Sequence, residues 1–130
     1  MTLNYHLRIA PCTYLVELEN RGAAVFANKN IGPGELIEVC PALIFPEKEA
    51  KRLIKTDLSQ YLFNWGKDKA ALALGYGSLY NHSCKPNARC TFDKRRKFII
   101  YQSIDHILQD HEIMINYDDI HGECGDTSWA

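Results

Sequence analysis

The residues best suited to chemistry lie in one central run, Tyr80-Asn81-His82-Ser83-Cys84-Lys85-Pro86-Asn87, and in a later one, Glu112-Ile113-Met114-Ile115-Asn116-Tyr117. Asn81 and His82 set an amide and an imidazole directly after the small, apolar stretch from Ala70 to Tyr80, which carries Gly75 and Gly77. Polar groups in such surroundings cost stability unless something hydrogen-bonds them. Either a local Ser/Asn turn satisfies them or a ligand does. Tyr117 closes a stretch in which Ile113 and Ile115 alternate with Met114 and Asn116. It is either a core tyrosine at a strand end or a hydroxyl aimed at a reacting group. A cysteine nucleophile with His82 or His111 as base is a further arrangement to weigh, but no nucleophile signature accompanies it.

The five cysteines, Cys12, Cys40, Cys84, Cys90 and Cys124, are odd in number and scattered. They read as thiols in a reducing, intracellular compartment, cytoplasm or nucleus, rather than as a secreted disulfide framework. Cys84, Cys90, His121 and Cys124 form a Cys₃His set on paper. Nothing in the sequence brings them together, and no metal is expected.

The elements that must position these residues are mostly short strands. Tyr14 to Glu19, Ala24 to Ala27 and Glu35 to Val39 read as strands, with Gly32-Pro33-Gly34 as a turn. From Pro46 to Trp65 the texture predicts an amphipathic helix, with Pro46 at its first position and Ala50, Leu53, Ile54 and Leu58 as its apolar stripe. Ala88 to Phe92 and Phe98 to Gln102 form a hairpin about Asp93-Lys94-Arg95-Arg96, whose charge run is a solvated tip. The fold class is mainly β with one or two short helices.

The 130 residues suit a single domain spanning 1–130, and a formal charge of -1 gives no global drive toward nucleic acid or an anionic membrane. The first residues lack the features of a signal peptide, and no apolar run reaches membrane-spanning length. A homodimer is compatible with so small a domain.

Asn81 to Asn87 resembles the NHSCxPN signature of the SET-domain protein lysine methyltransferases at every defined position. Glu112 to Tyr117 resembles the second signature of that family, which ends on the catalytic tyrosine. Gly22-Ala23-Ala24-Val25-Phe26-Ala27 is similar to its Gly-x-Gly-Val-Phe-Ala stretch, with Ala24 replacing the second glycine. Ile31 to Ile37 resembles the turn and strand that follow. Tyr61-Leu62-Phe63 and Ala73-Leu74-Gly75-Tyr76-Gly77 resemble segments of the minimal viral and microbial members. The resemblance covers about residues 12–118.

The resemblance implies a β-clip-like SET fold in which the chain beyond Tyr117 threads in a knot-like way. It implies transfer of a methyl group from S-adenosylmethionine to the ε-amine of lysine in a protein, a histone tail or another substrate. Tyr117 would be catalytic. Gly22, Ala23, Ala24, Asn81, His82, Tyr61 and Trp129 would hold the cofactor, and Tyr61, Tyr76, Ile115 and Tyr117 would line the lysine channel. Larger relatives follow the tyrosine with a zinc-binding cysteine tail, of which only Cys124 is present. The rival reading is a SET-fold interaction module that has lost catalysis, motivated by Ala24 and the curtailed tail.

Overall fold

The computed structural model describes residues 12–117. Strands β1 (Thr13–Leu18) and β2 (Gly22–Ala27) form an antiparallel hairpin, paired from Thr13 with Ala27 to Leu18 with Gly22. Its turn needs left-handed backbone, supplied by Asn20 at φ 68° and Gly22 at φ 78°. These are residue types that tolerate such angles.

Next comes β3 (Leu36–Phe45), the longest strand and the centre of a five-stranded sheet. The other members are β4 (Leu62–Gly66), β5 (Lys69–Ala73), β7 (Ala88–Asp93) and β8 (Phe98–Ser103), in the order β4-β5-β3-β8-β7 with antiparallel pairing throughout. Leu36 to Pro41 pair with β8, and Ala42 to Phe45 pair with β5. Pro41, which has no N–H to give, stands where β3 changes partners, a position a central strand can spare.

The sheet curls until its two edges meet. Phe63 and Trp65 of β4 pack on Phe92 of β7, with ring centroids 5.9 and 4.9 Å apart. The core beneath holds Val25, Ile31, Ile37, Ile99, Tyr101 and Ile113, all essentially inaccessible to water. This is the mainly β architecture expected from the sequence. Among the described residues no helix is long and apolar enough to cross a membrane.

The helix expected from Pro46 to Trp65 is instead three elements: α1 (Glu47–Leu53), a 3-10 turn at Asp57–Tyr61 and β4. Pro46 caps α1 in extended backbone rather than opening its first turn. The helix ends where the Thr56 hydroxyl donates to Leu53 O at 2.6 Å and accepts from Leu58 N at 3.2 Å, starting the next turn. Of the supposed apolar stripe only Ala50 is buried, and Ile54 is 59% exposed. Phe63 and Trp65, two apart, both face the core, so the period-2 pattern of a strand overrides the helical one.

The last expected strand is also shorter. Only Met114–Ile115 is regular, as β9, and it pairs in parallel with β6 (Asn81–His82). The passage of the chain beyond Tyr117 lies outside the described residues.

Candidate functional site

The β6–β9 pair joins the two chemical runs of the sequence. Asn81 faces Met114 and His82 faces Ile115. Two-residue strands have few ladder bonds, so side chains reinforce the junction. Asn87 Nδ2 donates to Glu112 O at 2.9 Å, while its Oδ1 accepts from Met114 N at 2.9 Å. Ser83 N donates to Ile115 O at 2.9 Å. Asn87 thereby satisfies both backbone groups flanking Ile113, a task that suits a primary amide, whose donor and acceptor sit side by side.

A second cluster ties β2 to this junction. Asn81 Nδ2 donates to Ala23 O at 3.1 Å and to Glu112 Oε2 at 2.8 Å. Arg21 Nη2 reaches both oxygens of Glu112, at 3.0 and 3.1 Å. Ile113 N donates to Val25 O at 2.8 Å, so β2 is pinned along its free edge up to Ala23. Beyond that point Gly22 is exposed, and open space surrounds the position a Cβ would take.

Ala24 is fully buried in β2, opposite Val16, and its φ is not positive. Its methyl group lies on the face of β2 opposite Val25, wholly shielded from water. The conformation at this position therefore accommodates alanine without strain.

Tyr117 sits against the other side of β6. Its N–H donates to His82 Nδ1 at 3.0 Å, and the two rings lie 5.3 Å apart. An accepting Nδ1 places the proton of a neutral imidazole on Nε2, which lies 3.5 Å from Cys84 Sγ. The Tyr117 hydroxyl donates to the Tyr80 carbonyl. Burial, and then the negative charges that Cys90 and Glu112 would place nearby, push its pKa up to about 12. It is a phenol, not a phenolate, throughout the neutral range.

Behind Tyr80 lies a residue that sequence reasoning missed. Glu38, in β3, is wholly buried, accepting from Tyr80 Oη at 2.6 Å and from Tyr76 N at 2.9 Å. Desolvation raises its pKa above the ordinary carboxylate value, although the hydrogen bonds from Tyr80, Tyr76 and Cys40 oppose the shift. The available signal was a carboxylate in the middle of the apolar run Leu36-Ile37-Glu38-Val39-Cys40.

The structure brings Ala23, Asn81, His82, Ile115 and Tyr117 together, with Ile115 buried in the core. Tyr76 is half-buried at the Glu38 loop. Tyr61 is 38% exposed at the end of the 3-10 turn, and no hydrogen bond or ring contact among the described residues joins it to the cluster. Trp129, His121 and Cys124 lie outside the described residues. Among the described residues no group of His, Cys, Asp and Glu converges as a metal site.

The arrangement coincides with a known pattern, because the SET domain family model matches residues 22–118, from the open glycine of β2 to just past Tyr117. The chain belongs to the SET-domain family of protein lysine methyltransferases. The histone-lysine N-methyltransferase specific for H3 lysine-37 from Schizosaccharomyces pombe is 35% identical to it over 104 residues, covering 79% of this chain and 71% of that protein. A crystal structure of a Plasmodium falciparum protein assigned as a histone methyltransferase superposes with a TM-score of 0.68 at 32% identity, covering 93% of this chain and 98% of that one. The described residues thus share the SET fold. Within it, the Asn81–Glu112–Arg21 cluster and the His82–Tyr117 contact occupy the two faces of β6.

Proposed function

We propose that this SET domain transfers a methyl group from S-adenosylmethionine to the ε-amine of a lysine in a protein substrate. The observation that carries the reading is the juxtaposition of Asn81, His82 and Tyr117 by the parallel β6–β9 pair. A merely structural module has no need of a half-buried phenol and a polar strand at one junction.

The residues present fit the cofactor. Gly22 leaves an open strand end, and beside it Asn81 commits its Nδ2 to protein while no described residue donates to its Oδ1. That oxygen suits the ammonium group of a methionine moiety. The Ala23 and Ala24 backbone and His82 complete the set that would hold it, with Trp129 and Tyr61 as further contributors. When bound, the cofactor supplies a methyl group on a positively charged sulfur.

The chain has two tasks, alignment and acceptance of a neutral amine. A lysine of ordinary pKa costs roughly 4 to 5 kcal/mol to neutralise at pH 7. A desolvated channel lowers that cost by disfavouring the ammonium form. Tyr117, held by His82 and the Tyr80 carbonyl, offers a fixed hydroxyl to orient the incoming nitrogen, and orientation of this kind carries much of the acceleration in a displacement. Tyr76, Ile115 and Tyr61 would form the channel wall, where aromatic faces suit alkylated ammonium groups.

Both relatives bear histone methyltransferase names, which makes a histone tail the first substrate to test and the nucleus or cytoplasm the compartment. The intact Asn81–Glu112 and His82–Tyr117 contacts weigh against a module without catalysis. Labelled methyl transfer to histones and to whole lysates, with calorimetric titration of S-adenosylmethionine, tests the proposal. Lysine-borne label is expected, and failure to bind the cofactor would overturn it.

A further inference from the structure

We propose that Glu38 is a positioning residue for Tyr117, acting through Tyr80, an inference that rests on the catalytic reading of Tyr117. Glu38 Oε1 accepts from Tyr80 Oη at 2.6 Å, and the carbonyl of Tyr80 in turn accepts from the Tyr117 hydroxyl. Glu38 Oε2 accepts from Tyr76 N at 2.9 Å, so the same carboxylate grips both ends of the loop that delivers the chain into β6. The Tyr80 ring is stacked on Tyr101 at 4.5 Å, leaving its hydroxyl bond to set how far the ring slides along that stack.

The loop is moulded around this carboxylate. A Cβ at Gly75 would come within 2.5 Å of Glu38 Oε2, and Gly75 already has φ 69°. At Gly77 a Cβ would come within 2.5 Å of the Ala73 side chain and 2.8 Å of Cys40 Sγ. Both glycines are therefore required for the approach of the loop to β3.

Glu38 is wholly buried, and all its named partners are neutral donors: the Tyr80 hydroxyl, the Tyr76 N–H and the Cys40 thiol. A carboxylate buried without a cation is expensive, and an apolar residue of similar volume would fill the core more cheaply. What an apolar residue lacks is a bifunctional acceptor that locks Tyr76 and Tyr80 at once. Small displacements of an aligning group cost rate steeply, which makes the lock functional.

The test uses the full chain and three variants, Glu38→Gln, Tyr80→Phe and the pair combined. Tyr80→Phe keeps the ring and the carbonyl, removes only the hydroxyl, and serves even if Glu38→Gln fails to fold. Each single variant is expected to lower kcat about tenfold while leaving KM for S-adenosylmethionine within about twofold. The double variant should lose less than the product of the single losses, because both changes act on the Glu38–Tyr80 contact. Unchanged kcat in a folded Tyr80→Phe protein, or fully multiplicative losses, would refute the proposal. A readout independent of transfer is the ¹³Cζ resonance of Tyr117, assigned by Tyr117→Phe. It should shift in Tyr80→Phe, and an unmoved resonance overturns the positioning role. If the wild type transfers no methyl group while that resonance does shift, the proposed activity fails and the coupling of Glu38 to Tyr117 stands.

Discussion

Asn81 and Glu112, 31 residues apart, are joined by a hydrogen bond of 2.8 Å from Nδ2 to Oε2, and the same carboxylate receives Arg21. One acidic side chain thus holds the turn at Arg21, the first residue of β6 and the approach to β9 in a single arrangement.

Removing that carboxylate should loosen the cofactor side of the site more than the tyrosine side. Glu112→Ala is expected to weaken S-adenosylmethionine binding about tenfold by calorimetry and to cost about 1 to 3 kcal/mol in urea unfolding, because Asn81 loses a buried partner. The Arg21 side chain is 50% exposed, so Arg21→Ala should cost under about 1 kcal/mol. Equal effects of the two changes would contradict this division.

Tyr117→Phe should retain cofactor binding and lose transfer by roughly 10²-fold or more, the scale of a lost aligning group. Because burial holds the Tyr117 hydroxyl at about 12, its ionisation cannot produce a limb in the rate profile below pH 10. Rate should rise with pH in the neutral range as the lysine substrate deprotonates. A fall attributable to Tyr117 near pH 9 would show that its surroundings are more polar than described.

Glu38 predicts the opposite pH behaviour to a salt-bridged carboxylate. Burial, its largest influence, raises the folded pKa above the ordinary 4.5, so the folded state holds a proton that the unfolded state has released. Its contribution is fully present below the unfolded value and is lost as pH rises through the folded one. The stability difference between Glu38→Gln and wild type, measured by urea unfolding, should therefore shift in favour of the variant as pH rises from 4.5 toward neutrality. A constant difference across that window would show an unshifted Glu38.

Ala24→Gly, which restores the glycine of the family pattern, should destabilise the protein by about 0.5 to 1 kcal/mol, since glycine in a strand loses more entropy on folding and gives up a packed methyl group. Cofactor affinity should stay within about twofold. A large gain in affinity would mean that the methyl group of Ala24 obstructs the cofactor after all.

The chemistry of this protein was legible where it depends on contiguous residues. Asn81-His82 and Glu112 to Tyr117 are each compact, and the hairpin of Ala88–Asp93 with Phe98–Ser103 follows from alternation and a polar turn. The stretch from Pro46 to Trp65 was not legible, because Ala50, Leu53, Ile54 and Leu58 fit a helical period locally, while Phe63 and Trp65 are claimed by Phe92 across the closed sheet. Tertiary packing outweighs local propensity there.

Sequence by itself determined the mainly β class and the family, and singled out Asn81, His82 and Tyr117 as residues with chemistry to offer. Residue type and spacing suffice for those, because a chemical group keeps its capabilities wherever the chain places it. Only the tertiary structure decided that Ala24 is wholly buried, that Asn87 clamps Met114 and that Glu38 reaches Tyr80. These are contacts between residues 27 and 42 positions apart or burial within a strand, set by register and sheet curvature. Curvature arises from how the strands pack together, and no short window of residues contains it.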